Sequence, residues 1–262
     1  MHLTVVAKSD EPPIKAQRVA DANRVVEHFG DRIFDLRLLC FFDDQDWQSI
    51  RDQCKWNRGL FTLCKRRHLF PQWGEWPGYL QELVVETDLV SWRPKYLFDG
   101  VIYLHGSTSA DQHGLIMTFA HELQHSIQYA NVRRLWAENT LLNNLPEEVF
   151  RPLGLMTFDL PIEREARIIS KQVAETLCGP DVISQYIKKK IAEATYEHDK
   201  LDWQFVSTLG PSTPCDLAAD THSLFKKFRH CRAQFEEVLK EWHDDEDFKD
   251  IDLDTLLDGT NQ

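Results

Sequence analysis

The chain has 262 residues, 42% of them hydrophobic, a formal net charge of −12 and six cysteines. That length can bury a sizeable core. The acidic balance argues against a nucleic-acid partner, and no apolar run is long enough to cross a bilayer. The cysteines (Cys40, Cys54, Cys64, Cys178, Cys215 and Cys231) are scattered without framework spacing. This fits reduced thiols in a cytoplasmic protein better than a disulfide-stapled secreted module.

Residues 1–13 have the character of a loose lead-in ending at Pro12-Pro13, without the basic-then-apolar layout of a signal peptide. "IKAQRVADANRVVEHFGDRI" has helical spacing through Val19, Val26 and Phe29, with Gly30 as its stop. "DDQDWQSIRDQCKW" is a second helix candidate. The stretch from Arg51 to His68 is basic, but Cys54, Cys64 and His68 match no closed zinc module. Aromatics crowd the region from Phe41 to Tyr79, among them Trp47, Trp56, Phe61, Phe70, Trp73 and Trp76. They are expected to pack a helix layer, and the other reading is an aromatic wall on a cleft.

"LVVE" and "VIYLHG" (Val101 to Gly106) have strand character, the second as a continuous apolar run bounded by glycines. From about Gln112 the period becomes helical, with Ile116, Phe119, Ala120, Leu123, Ile127 and Ala130 forming one apolar stripe. Further helices are expected over Pro161–Leu177, Asp181 to about His198, and Leu217 to about Trp242. From Glu241 onward the sequence holds nine acidic residues and one lysine, the composition of a solvated or disordered tail.

The stretch "FAHELQHSIQ" (Phe119 to Gln128) carries the chemistry. Residues four apart lie one turn apart on the same helix face, so His121 and His125 project side by side. Their nitrogens can reach one Zn²⁺ at about 2.0–2.1 Å. Both lie off the apolar stripe, which leaves one face to pack and the other for metal. Glu122 is one step round the helix, too offset to be the natural third ligand and well placed to hydrogen-bond a water on the ion. Zinc lowers the pKa of such a water towards about 7 and polarises a carbonyl. A neighbouring carboxylate can take the water's proton and pass it to a leaving amine. The spacing therefore points to amide hydrolysis without a covalent intermediate.

With these residues the sequence resembles the zincin metallopeptidases, mainly over Val101 to Leu177. The resemblance implies a strand beside the H-E-x-x-H helix, with a protein or peptide substrate pairing along it in extended form. "VIYLHG" is the segment that looks like that strand.

A catalytic zinc site needs a third protein ligand. "HELQHSIQYANVRR" lacks the short metzincin spacing H-x-x-G-x-x-H, which leaves a second helix, "LPIEREARIISKQVAETL" (Leu160 to Leu177), as its source. Pro161 suits a first turn, and Ile162, Ala166, Ile169, Val173 and Leu177 form the packing stripe. Glu163 and Glu165 border that stripe on opposite sides, about equally offset, and periodicity does not choose between them. Both also suit a solvated first turn favoured by the helix dipole. Gluzincin-like peptidases of the repressor-cleaving and heat-shock membrane types carry E-x-x-A at this place. "EREAR" is similar, and the resemblance implies Glu163 as ligand with Ala166 as the small residue of a close helix approach. The membrane type has Asp where this chain has Arg167, and arginine cannot accept a histidine N–H. An oxyanion donor is also implied, with Tyr186, Tyr196, His198, His222 and His230 as candidates that the sequence does not rank.

The expectation is thus an α+β, helix-rich protein: a zincin-like core with a small sheet packed on the HExxH helix. One catalytic domain spans residues 1–240, its first 80 or so helical and aromatic-rich, followed by an acidic tail over 241–262. The expected function is a zinc-dependent peptidase with Glu122 as general base. A binding or regulatory protein with a structural metal is the alternative.

Overall fold

The computed structural model describes residues 2–7, 12–30, 37–43, 59–63, 100–105, 111–242 and 246–258. The second helix candidate, the "LVVE" strand, most of the aromatic-rich stretch and the Cys54, Cys64 and His68 group lie outside these residues.

Four strands are described: β1 (His2–Ala7), β2 (Arg37–Asp43), β3 (Gly59–Leu63) and β4 (Gly100–His105). They form one sheet in the order β1-β2-β4-β3. β1, β2 and β4 run parallel, with Val5 opposite Cys40 and Cys40 opposite Ile102, and β3 returns antiparallel with Phe61 opposite Ile102. A parallel pair needs a crossover, and α1 (Pro12–Phe29) lies between β1 and β2 in sequence. Gly30 follows that helix at φ 55°, where a left-handed residue stops it. The first residues are therefore a strand rather than a loose lead-in. β4 is bonded on both sides, to β2 and to β3.

The expected zincin-like core, a small sheet packed on the HExxH helix, is corrected by the structure. From Gln112 to Asp258 the described chain is helical and contains no strand. The strands make their extensive contacts with one another, and no comparable packing onto the HExxH helix is present among the described residues. The physical reason lies in the spacing. After residue 111 apolar side chains recur every three to four positions through successive segments, so helices supply one another's cover.

The helices are α2 (Gln112–Asn131), α3 (Arg133–Asn143), the single turn α4 (Glu147–Phe150), α5 (Pro161–Cys178), α6 (Pro180–Glu193), α7 (Glu197–Thr208), α8 (Leu217–Lys227), α9 (Arg232–Glu241) and α10 (Leu253–Asp258). Two expected long helices are each divided. The run from Asp181 breaks before Glu197, and the run from Leu217 breaks at a 3-10 turn over Arg229–Cys231. No helix among the described residues is long and apolar enough to cross a membrane.

The chain divides into two compact units: residues 1–126 with 170–186, and 127–169 with 187–262. The border passes within α2 and within α5, which both run through it unbroken. In the first unit Asp21 of α1, almost fully buried, accepts hydrogen bonds from Gln17 and from Gln112 at 2.9 Å each, and Arg24 donates to the Leu177 carbonyl at 2.8 Å. In the second unit Phe225, Phe228 and Phe235 centre a core with Leu141, Leu142 and Phe150. Leu253, Leu256 and Leu257 join it, so residues 246–258 of the expected disordered tail instead contribute a helix to the core. The Asn139 amide ties α3 to α8 by donating to the Thr221 hydroxyl at 2.7 Å.

Candidate metal centre

α2 is preceded by Asp111, whose side chain accepts the His113 backbone N–H at 3.0 Å, the usual role of an N-cap carboxylate. From Gly114 to Gln128 every residue except Thr118 and His121 is buried. The expected division into a packed face and an open face is therefore too simple, since the helix is covered nearly all round and His121 is half-buried. Of the expected stripe, Ala130 alone is exposed.

His121 and His125 stand as the four-residue spacing requires. Their Nε2 atoms are 3.0 Å apart, and the rings meet edge to face at 87°. Two nitrogens bound tetrahedrally at ordinary zinc distances are about 3.3 Å apart, so a small adjustment of the rings would admit an ion. Glu163, in the first turn of α5, completes the group. One ligand atom from each of His121, His125 and Glu163 lies within 4.8 Å of the others. Two imidazoles and one carboxylate suit zinc, whereas magnesium and calcium prefer all-oxygen shells. The residues present fit the ion that the spacing implies. Glu122 is buried, with 6% of its surface exposed, and follows His121 directly.

Glu163 and Glu165 differ in their partners. Glu165 accepts a hydrogen bond from the Gln128 amide at 2.8 Å, and the same amide donates to the Ile162 carbonyl at 2.9 Å. Glu165 thus ties the last turns of α2 to the start of α5 and lies outside the metal group. Glu163 accepts from Arg167 Nη1 at 2.6 Å, and Arg167 Nε donates to Asp202 on α7 at 2.8 Å. Burial alone would lower the Arg167 pKa, but the Asp202 and Glu163 carboxylates outweigh it and hold the guanidinium above the ordinary arginine value. In the sequence Arg167 marks only a departure from the Asp of the membrane-type peptidases that "EREAR" otherwise resembles. The i,i+4 spacing of Glu163 and Arg167 is the signal that points to their pairing. Nothing in the sequence singles out Asp202 or Gln128.

The oxyanion candidates are dispersed. The buried Tyr186 lies against the His113 ring at 5.4 Å, and His198 stands 6.0 Å from Phe158. Tyr196 is exposed ahead of α7, His222 is on α8, and His230 is in the 3-10 turn. None of these histidines belongs to the metal group. The described thiols Cys178, Cys215 and Cys231 are unpaired with one another and also lie outside it. Burial pushes all three pKa values up.

Comparison of the chain with protein-family models, with curated proteins and with solved structures finds no match.

Proposed function

We propose that this protein is a zinc-dependent peptidase in which His121, His125 and Glu163 hold the ion and Glu122 is the general base. The observation that carries the reading is the convergence of two imidazole nitrogens and one carboxylate within 4.8 Å, drawn from two helices, with a buried glutamate next to the first histidine. The reading rests on the site and not on the fold, because function resides in the placement of particular groups. When bound, zinc would polarise a substrate carbonyl and acidify water. Glu122 would take the proton of the attacking water and return it to the leaving amine. The two histidines and Glu163 would orient these groups, and the burial of α2 around them would limit access of bulk water. A protein or peptide is the substrate class that this chemistry serves.

The test pairs metal content with cleavage. Wild type is expected to purify with one zinc and to cut members of a peptide library read by mass spectrometry. His121→Ala is expected to lose stoichiometric zinc. Glu122→Gln is expected to keep the ion and fold yet lose hydrolysis by about three orders of magnitude or more. Zinc without cleavage by wild type would leave a structural metal in a binding protein. A wild type that takes up no divalent metal ends the proposal.

A further inference from the structure

The Glu163 carboxylate is held in place by a constellation that the H-E-x-x-H spacing does not call for. Arg167, one turn along α5, donates from Nη1 to Glu163 Oε2 at 2.6 Å and to the Glu163 carbonyl at 3.3 Å. Its Nε donates to Asp202 at 2.8 Å. The guanidinium also lies over the Phe158 ring, 5.9 Å from its centroid, and Phe158 stacks on Phe205 at 5.1 Å. Phe205 follows Asp202 on α7 by three residues, and Phe158 lies in the 3-10 turn just ahead of α5. The fork is thus held in its plane by two carboxylates and on its face by an aromatic ring. The three charged side chains are largely withdrawn from water, with exposures of 17% for Arg167, 20% for Glu163 and 11% for Asp202.

We infer that Arg167, anchored by Asp202, is a positioning residue that presents the Glu163 carboxylate to the metal ion. The inference rests on the zinc reading of the site. A glutamate has three side-chain torsions, and a ligand fixed before the ion arrives loses less freedom when it binds. Arg167 bonds one carboxylate oxygen, and a carboxylate offers about four acceptor positions, so the bond and a metal are compatible. Arginine does not lose its proton at any working pH, so the arrangement persists wherever the fold does. The opposite possibility is that Arg167 competes with the ion for Glu163, and the two predict affinity changes of opposite sign.

The experiment measures the zinc dissociation constant by competition with a chromophoric chelator and the visible absorption of the cobalt(II) form, which reports coordination geometry. Thermal melting of the metal-free protein is followed in parallel. Wild type is expected to bind one ion. Arg167→Met is expected to bind about 10- to 100-fold more weakly, with an altered cobalt spectrum, as removal of groups that orient metal ligands does. Asp202→Asn should weaken binding in the same direction, and the double variant should be no worse than the weaker single one, because the two residues act as a unit. Arg167→Lys should recover part of the affinity, since an ammonium keeps the charge and loses the planar fork. A folded Arg167→Met that binds zinc as tightly as wild type reduces Arg167 to a purely structural role, and tighter binding makes it a competitor. Either result overturns the inference while the zinc reading stands. If Arg167→Met does not fold, Asp202→Asn decides by the same criteria. A wild type without metal ends both readings at once.

Discussion

At the scale of single residues, the neighbours Glu163 and Glu165 show where sequence reasoning reaches its limit. On a helix they border the same packing stripe from opposite sides, and no periodicity distinguishes them. What separates them is the group each one meets: the imidazole pair of α2 and Arg167 of its own helix for Glu163, the Gln128 amide of α2 for Glu165. Two substitutions should therefore behave differently. Glu163→Ala is expected to weaken zinc binding by about 100-fold or more, since it removes one of the three proposed protein ligands. Glu165→Ala should leave the zinc dissociation constant within about threefold of wild type and lower stability by about 1 kcal/mol through the lost hydrogen bond. Metal titration and thermal melting of the two variants side by side check both. The two histidines are legible for the opposite reason, because their relation is local and fixed by about 3.6 residues per turn.

At the scale of elements, helices with an apolar stripe are visible in the sequence and their interruptions are not. The extent of α5 is legible almost to the residue because Pro161 opens it and Gly179 follows its end. The breaks before α7 and between α8 and α9 contain neither glycine nor proline, so they leave no mark in the sequence. β2 is absent from the expected elements, although "RLLCFFD" is the unbroken apolar run of an interior parallel strand, and it is paired with β1 on one side and β4 on the other. Gly179 has a conformational role. Its φ is 95°, its N–H donates to the Glu175 carbonyl at 2.9 Å, and a Cβ there would meet nothing within 4 Å. Gly179→Ala should thus be disfavoured by backbone conformation and not by crowding, and cost about 1–2 kcal/mol. A melting temperature lowered by a few degrees with unchanged zinc affinity is the expected outcome. A shift in zinc affinity would connect this helix end to the site.

At the scale of the whole molecule, composition misdirects the reading of the last segment. Nine of the residues that follow Lys240 are acidic, which evenly spread would keep the segment in water. The apolar residues are not evenly spread. Leu253, Leu256 and Leu257 line one side of α10, and all three are buried. Leu256→Ala should cost about 2–5 kcal/mol, the range for a leucine truncated in a packed core. Denaturant unfolding with an unchanged m-value would check that cost, and a change below about 0.5 kcal/mol would place α10 outside the cooperative core. The sheet expectation fails at this scale too, because a sequence carries the period of each element and not its packing partner. The near-complete burial of α2 has a kinetic consequence. Its backbone amides are expected to exchange hydrogen with solvent only through large openings of the structure and so to be among the slowest in the protein. An ion held by His121 and His125 would therefore sit on a backbone that stays closed while the two rings turn to admit it.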